Sequence, residues 1–85
     1  MRKILTVKVI NFIIECELEN GDIYQYDMSF IKKSKGPMLN ELKEHSLFNK
    51  VFIELGSLSW PNGYEIHANT IAREGILISK NQDSA

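Results

Sequence analysis

The chain has 85 residues, enough for one domain, and its 44% hydrophobic content suits a globular fold and excludes disorder except at the ends. A formal net charge of -1 excludes a general cationic coat for nucleic acid or a membrane surface, leaving room only for a local basic patch. The lone cysteine, Cys16, cannot make an internal disulfide, which points to a reducing compartment.

The start, Met1-Arg2-Lys3-Ile4-Leu5, is basic and then apolar. Lys8 and Asn11 interrupt the apolar run and no small-residue cleavage site follows, so no signal peptide is expected. No stretch approaches the roughly 18 apolar residues that would span a bilayer. The expectation is a soluble, cytoplasmic protein with no membrane contact. A core this small has little stability to spare, and a homodimer is one expected remedy.

Residues 3–10 read as a strand, with Leu5, Val7 and Val9 alternating with Thr6 and Lys8. Asn11 marks a turn or bulge. Residues 12–19 alternate most clearly: Phe12, Ile14, Cys16 and Leu18 share one face and Glu15, Glu17 and Glu19 the other, as in a sheet with one buried side. Asn20-Gly21 suits a type I′ turn, whose two central positions need positive φ. A returning strand from Asp22 to Tyr26 or Asp27 completes a three-stranded meander, with Tyr24, Tyr26 and Met28 on one face.

Asp27 can cap a short helix that turns Met28, Phe30 and Ile31 inward. Lys32-Lys33-Ser34-Lys35-Gly36-Pro37 is a loop by composition, and Pro37 can open the next helix. Met38, Leu39 and Leu42 have helical spacing, and Phe48 looks like a core plug after another helical turn. Residues 50–55 form a strand, broken by Gly56-Ser57. Leu58-Ser59-Trp60 and Tyr64-Glu65-Ile66 are short strands around the turn Pro61-Asn62-Gly63. Pro61 cannot donate a ladder hydrogen bond and must sit at an edge or in the turn. Residues 69–74 make one or two helical turns ended by Gly75, and Ile76, Leu77 and Ile78 are apolar again. The expected fold is α+β: a small antiparallel β-sheet of five or six strands (β-meander, short helices, then β-hairpin) packed against short helices. Residues 1–78 form the domain and 79–85 a flexible tail.

The order of Gly21-Asp22, Tyr26-Asp27-Met28, Gly36-Pro37-Met38, Leu42-Lys43, Phe48 and Val51, ending in Trp60-Pro61-Asn62-Gly63-Tyr64-Glu65-Ile66, resembles the small bacterial family called domain of unknown function 2442. The resemblance spans residues 3 to about 74. It implies a curved antiparallel sheet on short helices, no established catalytic residues, and genes set beside other very small proteins in arrangements similar to toxin–antitoxin pairs. Some members carry a helix-turn-helix domain after the module. The few residues beyond the match do not accommodate one, so sequence-specific DNA reading is not expected. His67-Ala68 departs from the acidic residue or alanine, then proline, found there in many members.

No phosphate loop, nucleophile elbow or Cys/His metal spacing occurs, and no cofactor is expected. His45 suits a helix end, and His67 could act as a pH switch or simply close a strand. Cys16 stands among apolar residues and is expected to be buried rather than nucleophilic. Glu15, Glu17 and Glu19 are too widely spaced on a strand to chelate together easily. Lys32, Lys33 and Lys35 form the one basic cluster, either a solvated loop or an anion contact for nucleic acid. Trp60, Pro61, Asn62, Gly63, Tyr64 and His67 form the candidate interaction surface, although the favoured reading of Trp60 itself is that it packs beneath its hairpin and pins it. The sequence thus points to a non-enzymatic protein-interaction or regulatory module with a small protein partner. The alternative is a nucleic-acid-contacting regulator using the basic loop.

Overall fold

The computed structural model describes residues 2–80, so most of the expected tail, residues 81–85, lies outside the described residues. Among the described residues, seven strands form two antiparallel sheets. The larger contains β1 (Ile4–Ile10), β2 (Ile13–Leu18), β3 (Ile23–Asp27) and β7 (Ile76–Ser79), in the order β1-β2-β3-β7. The smaller contains β4 (Phe52–Glu54), β5 (Ser57–Ser59) and β6 (Glu65–Ile66). The α+β class and the leading meander are as the alternation predicts. Phe12, Ile14, Cys16 and Leu18 are all buried, while Ile13, Glu15 and Glu17 are half-buried on the outer side.

The phase of β1 differs from expectation. Ile4 pairs with Leu18 but Thr6 pairs with Glu17, so Leu5 is an extra residue in the ladder. A bulge of this kind shifts the alternation by one. Leu5 is therefore 53% exposed, while Ile4 is buried and Val7 and Val9 pack against the core. The turn after β2 also differs. Gly21 has φ 92 but Asn20 is not left-handed. The Gly21 N–H donates to Leu18 O and the Leu18 N–H to Asp22 O. This is a three-residue loop ending in a left-handed glycine, not the two-residue type I′ turn.

Between the sheets run a 3₁₀ turn, Ser29–Lys33, and two short helices, α1 (Pro37–Glu41) and α2 (His45–Phe48). The Asp27 carboxylate accepts the Ser29 N–H at 2.9 Å, which starts the 3₁₀ turn. Met28, Ile31, Leu42 and Phe48 are fully buried. Phe30 is not inward as expected but 46% exposed, resting its ring edge against Tyr26. In a 3₁₀ turn, residues three apart share a face, so Met28 and Ile31 align and Phe30 falls aside.

The chain reverses between β4 and β5 at Leu55-Gly56, one residue earlier than the break expected at Gly56-Ser57. Both residues are left-handed, with φ 52 and 80, as a type I′ turn needs. Helix α3 (Ala68–Glu74) buries Ala68 and Ile71. Gly75 then brings the chain down onto β3: a Cβ there would lie 2.6 Å from Ile71 O and 3.0 Å from Gln25 O. That close approach lets β7 begin at once and pair antiparallel with β3. The strand β7, including Ser79 paired with Ile23, was not expected from the sequence.

Candidate functional site

The stretch with the strongest turn signal is a packing knot. The Gly63 N–H donates to Trp60 O and the Trp60 N–H to Tyr64 O, closing the loop with Gly63 at φ 94. Trp60 is 2% exposed. Its indole Nε1 donates to Phe48 O at 2.9 Å, and its ring lies 5.7 Å from Phe48 and 5.7 Å from Tyr64. The indole thus fills the space between α2 and the second sheet and satisfies the last turn of α2. Trp60 is part of the core and offers no interaction surface.

Asn62 extends the knot. Its side-chain amide donates to Met38 O at 3.1 Å and Glu41 Oε1 at 2.9 Å, while its oxygen accepts the Tyr64 N–H. One side chain therefore fixes its own turn and fastens it to α1. Pro61 and Gly63 are exposed at the tip, and Tyr64 is half-buried against Trp60.

His67 lies elsewhere. It precedes α3 and shares a 2.9 Å hydrogen bond between its Nδ1 and Ser57 Oγ. Both residues line a cleft of about 430 Å³ together with Arg2, Leu55, Thr70 and Arg73. That volume is within the range of small-ligand sites. Among the described residues, no carboxylate lines it. Arg73 makes a 3.0 Å ion pair with Glu74, but both side chains are largely open to water, where such a pair is weak. Leu55 forms the apolar wall, 94% exposed and left-handed. Holding a bulky residue in that conformation costs about 1–2 kcal/mol, and its exposed side chain returns no packing.

The structure thus divides the expected surface between a turn anchored by buried Trp60 and a cleft, with only His67 belonging to the cleft. Arg2, Leu55, Ser57 and Arg73 were missed. Isolated arginines give no local signal. Leu55-Gly56 between two short strands did carry a turn signal, weakened because leucine is rare at positive φ.

The basic cluster is exposed at Lys32, Lys33 and Lys35. Lys32 Nζ sits 5.3 Å from the Phe12 ring centre, and the His45 ring lies 4.5 Å from the same ring. The lysines straddle the end of the 3₁₀ turn rather than occupying one loop. Cys16 is buried, and desolvation, followed by the nearby Glu15 charge, pushes its thiol up to about 12. It is a core residue and no thiolate forms there at neutral pH. Among the described residues, no three of His, Cys, Asp and Glu gather closely enough to hold a metal ion. No helix among them is long and apolar enough to cross a membrane.

These features define an α+β domain with two antiparallel sheets, a sealed thiol and one arginine-lined cleft. Comparison with protein-family models, curated proteins and solved structures returned no match. The resemblance to domain of unknown function 2442 therefore rests on the quoted sequence motifs alone.

Proposed function

We propose that the protein is a non-enzymatic interaction module whose cleft takes an acidic segment of a small protein partner. The observation that carries this reading is the pairing of Arg2 and Arg73 with an exposed, left-handed Leu55 around a cleft that no carboxylate lines among the described residues. Strained, exposed apolar residues concentrate where a protein meets something else. Two guanidiniums favour carboxylates through bidentate hydrogen bonds, while Leu55 gives an apolar contact beside them. An acidic peptide with an aliphatic side chain matches both. Such a module fits the regulatory, antitoxin-like setting that the family resemblance implies.

The test is fluorescence anisotropy with a Glu-rich octapeptide carrying one leucine, against its Lys-rich counterpart. Binding of the acidic peptide should weaken with salt and be lost in Arg2→Glu and Arg73→Glu. Leu55→Asn should weaken it while stabilising the hairpin. Equal binding of both peptides, or none, rejects the cleft. Co-expression with the product of a neighbouring small gene extends the test to a natural partner.

The second reading is contact with nucleic acid through Lys32, Lys33 and Lys35. All three are exposed, and among the described residues none forms an ion pair. It requires salt-dependent binding, weakened to a similar degree by loss of each lysine and indifferent to the cleft arginines.

A further inference from the structure

Arg2 and Arg73 are permanently charged, and among the described residues that line the cleft only His67 is of a type that ordinarily changes charge between about pH 5 and 8. Its place is set by the second sheet. Leu58 pairs with Ile66 and Ser59 with Glu65, so the next step of the same ladder sets Ser57 opposite His67. Side chains opposed in this way share a face, and Ser57 Oγ meets His67 Nδ1 at 2.9 Å. Helix α3 holds the backbone from the other side, where His67 O accepts the Thr70 N–H at 3.0 Å. The ring is thus fixed at two points while the residue stays exposed at the cleft.

The bond to Ser57 tolerates either charge state. A hydroxyl can donate or accept, whereas a charged imidazole donates from both nitrogens. With His67 charged, Nδ1–H donates to Ser57 Oγ and Nε2–H is left for a ligand. The charges around the ring come from four elements. Arg73 stands on α3, and Arg2 and Lys3 come from the start of the chain, with Lys3 Cγ only 2.7 Å from where a Cβ on Gly56 would lie. On the sheet face that His67 shares are Glu65, two residues earlier on β6, and Glu54, which pairs with Ser57 from β4. Like charge disfavours an imidazolium and opposite charge favours it. The two glutamates lie outside the cleft lining, so in the empty cleft the cations Arg2 and Arg73 stand nearest to hand. A carboxylate entering beside the ring turns that balance toward protonation.

Resting on the reading of the cleft as the seat of an acidic segment, we propose that His67, held by Ser57, is the third cation of the cleft and takes up a proton as that segment binds. The coupling is reciprocal: what the ligand does for the proton, the proton does for the ligand. Affinity for an acidic segment therefore rises as pH falls through the histidine range. Ser57 is a positioning residue, acting through the ring.

Fluorescence anisotropy with the Glu-rich octapeptide, from about pH 7.5 to about pH 5.5, tests this on the full chain. Affinity should rise about threefold to fivefold, the size of a partly exposed charge contact. Any loss of charge from the peptide over this range would act in the opposite direction. His67→Gln keeps a polar partner for Ser57 but cannot charge, and its affinity should stay flat. His45→Gln should keep the full rise, because His45 stacks on Phe12 and is not in the cleft lining. Ser57→Ala should shrink the rise and Ser57→Thr should restore it. Proton NMR of the two imidazoles needs no folded variant: the His67 ring should titrate at higher pH with the peptide bound than without it, and the His45 ring should not move. Affinity that is constant across the range, while Arg2→Glu still abolishes binding, overturns the inference and leaves the acidic-segment reading standing. A rise that survives His67→Gln, or a His67 titration indifferent to the peptide, overturns it too. No binding of the acidic peptide at any pH rejects both.

Discussion

Two loops of this protein have the same backbone design and different consequences. Leu18 to Asp22 and Trp60 to Tyr64 both place Asn-Gly at their third and fourth positions. In both, the glycine is left-handed, with φ 92 at Gly21 and φ 94 at Gly63. In both, the glycine N–H bonds back to the first residue and the first residue's N–H bonds to the fifth residue's carbonyl. In both, the asparagine oxygen accepts the N–H two residues on. The first loop closes a hairpin. The second does that and also holds an indole beneath itself and a helix beside it. The shared part is local and the difference is tertiary, so a motif can look equally strong in two places and matter unequally.

Truncating the anchor breaks the comparison hardest. Trp60→Ala should cost about 3–5 kcal/mol, the range for emptying a large buried aromatic site. Leu18→Ala, at the matching position of the other loop, should fall within or below about 2–5 kcal/mol. Trp60→Phe isolates the indole N–H: it restores most of the volume and leaves Phe48 O with only the longer bond from the Val51 N–H, for about 0.5–1.5 kcal/mol. Urea denaturation of all three variants checks the order. A Trp60→Phe cost close to that of Trp60→Ala would show that the hydrogen bond, not the ring, holds α2.

Substituting the glycines should make the loops look alike again. Gly21→Ala and Gly63→Ala each force a Cβ into left-handed backbone, for about 1–2 kcal/mol. At Gly63 the added Cβ would meet only Met38 Cε at an ordinary 3.5 Å, so the backbone conformation sets the cost there. Similar losses at both sites confirm a shared turn. A much larger loss at Gly63 would mean that the tip is more crowded than its geometry indicates.

The asparagine is where the second loop departs from the first. Asn62→Ala removes two donated bonds to α1 as well as the bond within the turn. It should cost about 1–2 kcal/mol. Asn62→Asp keeps the acceptor for Tyr64 but sets a carboxylate beside Glu41 and Met38 O. It should cost at least as much at neutral pH and less in acid. Hydrogen exchange should locate the change at Asn40 and Leu42, whose N–H groups close α1.

The parts of this fold that were legible from sequence are those fixed within a few residues. Alternation from Phe12 to Leu18 gave the buried face of β2, and Pro37 gave the start of α1. What was illegible depends on distant partners. The strand β7 exists because Gly75 lets the chain settle against Gln25, some fifty residues earlier, and Ile76-Leu77-Ile78 alone cannot announce that partner. The bulge at Leu5 is invisible for the same reason, because only pairing with β2 reveals the extra residue. At the site, packing of Trp60 beneath its hairpin was legible, while its place in an interaction surface was suggested by residue type alone. Trp60 has the chemistry of an interface residue but is enclosed. Arg2 and Arg73 are unremarkable until folding brings both to one cleft with His67.

A third turn of the same kind carries the smallest and most specific expectation. The Asp27 carboxylate accepts the Ser29 N–H at 2.9 Å, two residues on, as Asn20 and Asn62 do in their loops, but it can be protonated. The backbone hydrogen bond from Ser29, then the Ser29 side chain and the Lys32 charge, hold its carboxyl below the ordinary 3.8. A depressed folded pKa contributes stability above the unfolded value and loses it as pH falls through the folded value. Asp27→Asn keeps an acceptor for Ser29 and removes the titration. The wild type should therefore be slightly more stable than Asp27→Asn at neutral pH, and the gap should close as pH drops below 3.8. All other carboxylates are common to the two proteins, so the difference between their urea midpoints isolates Asp27. A gap that stays constant into acid would mean that the turn draws on the shape of the side chain alone, as the two asparagine loops must.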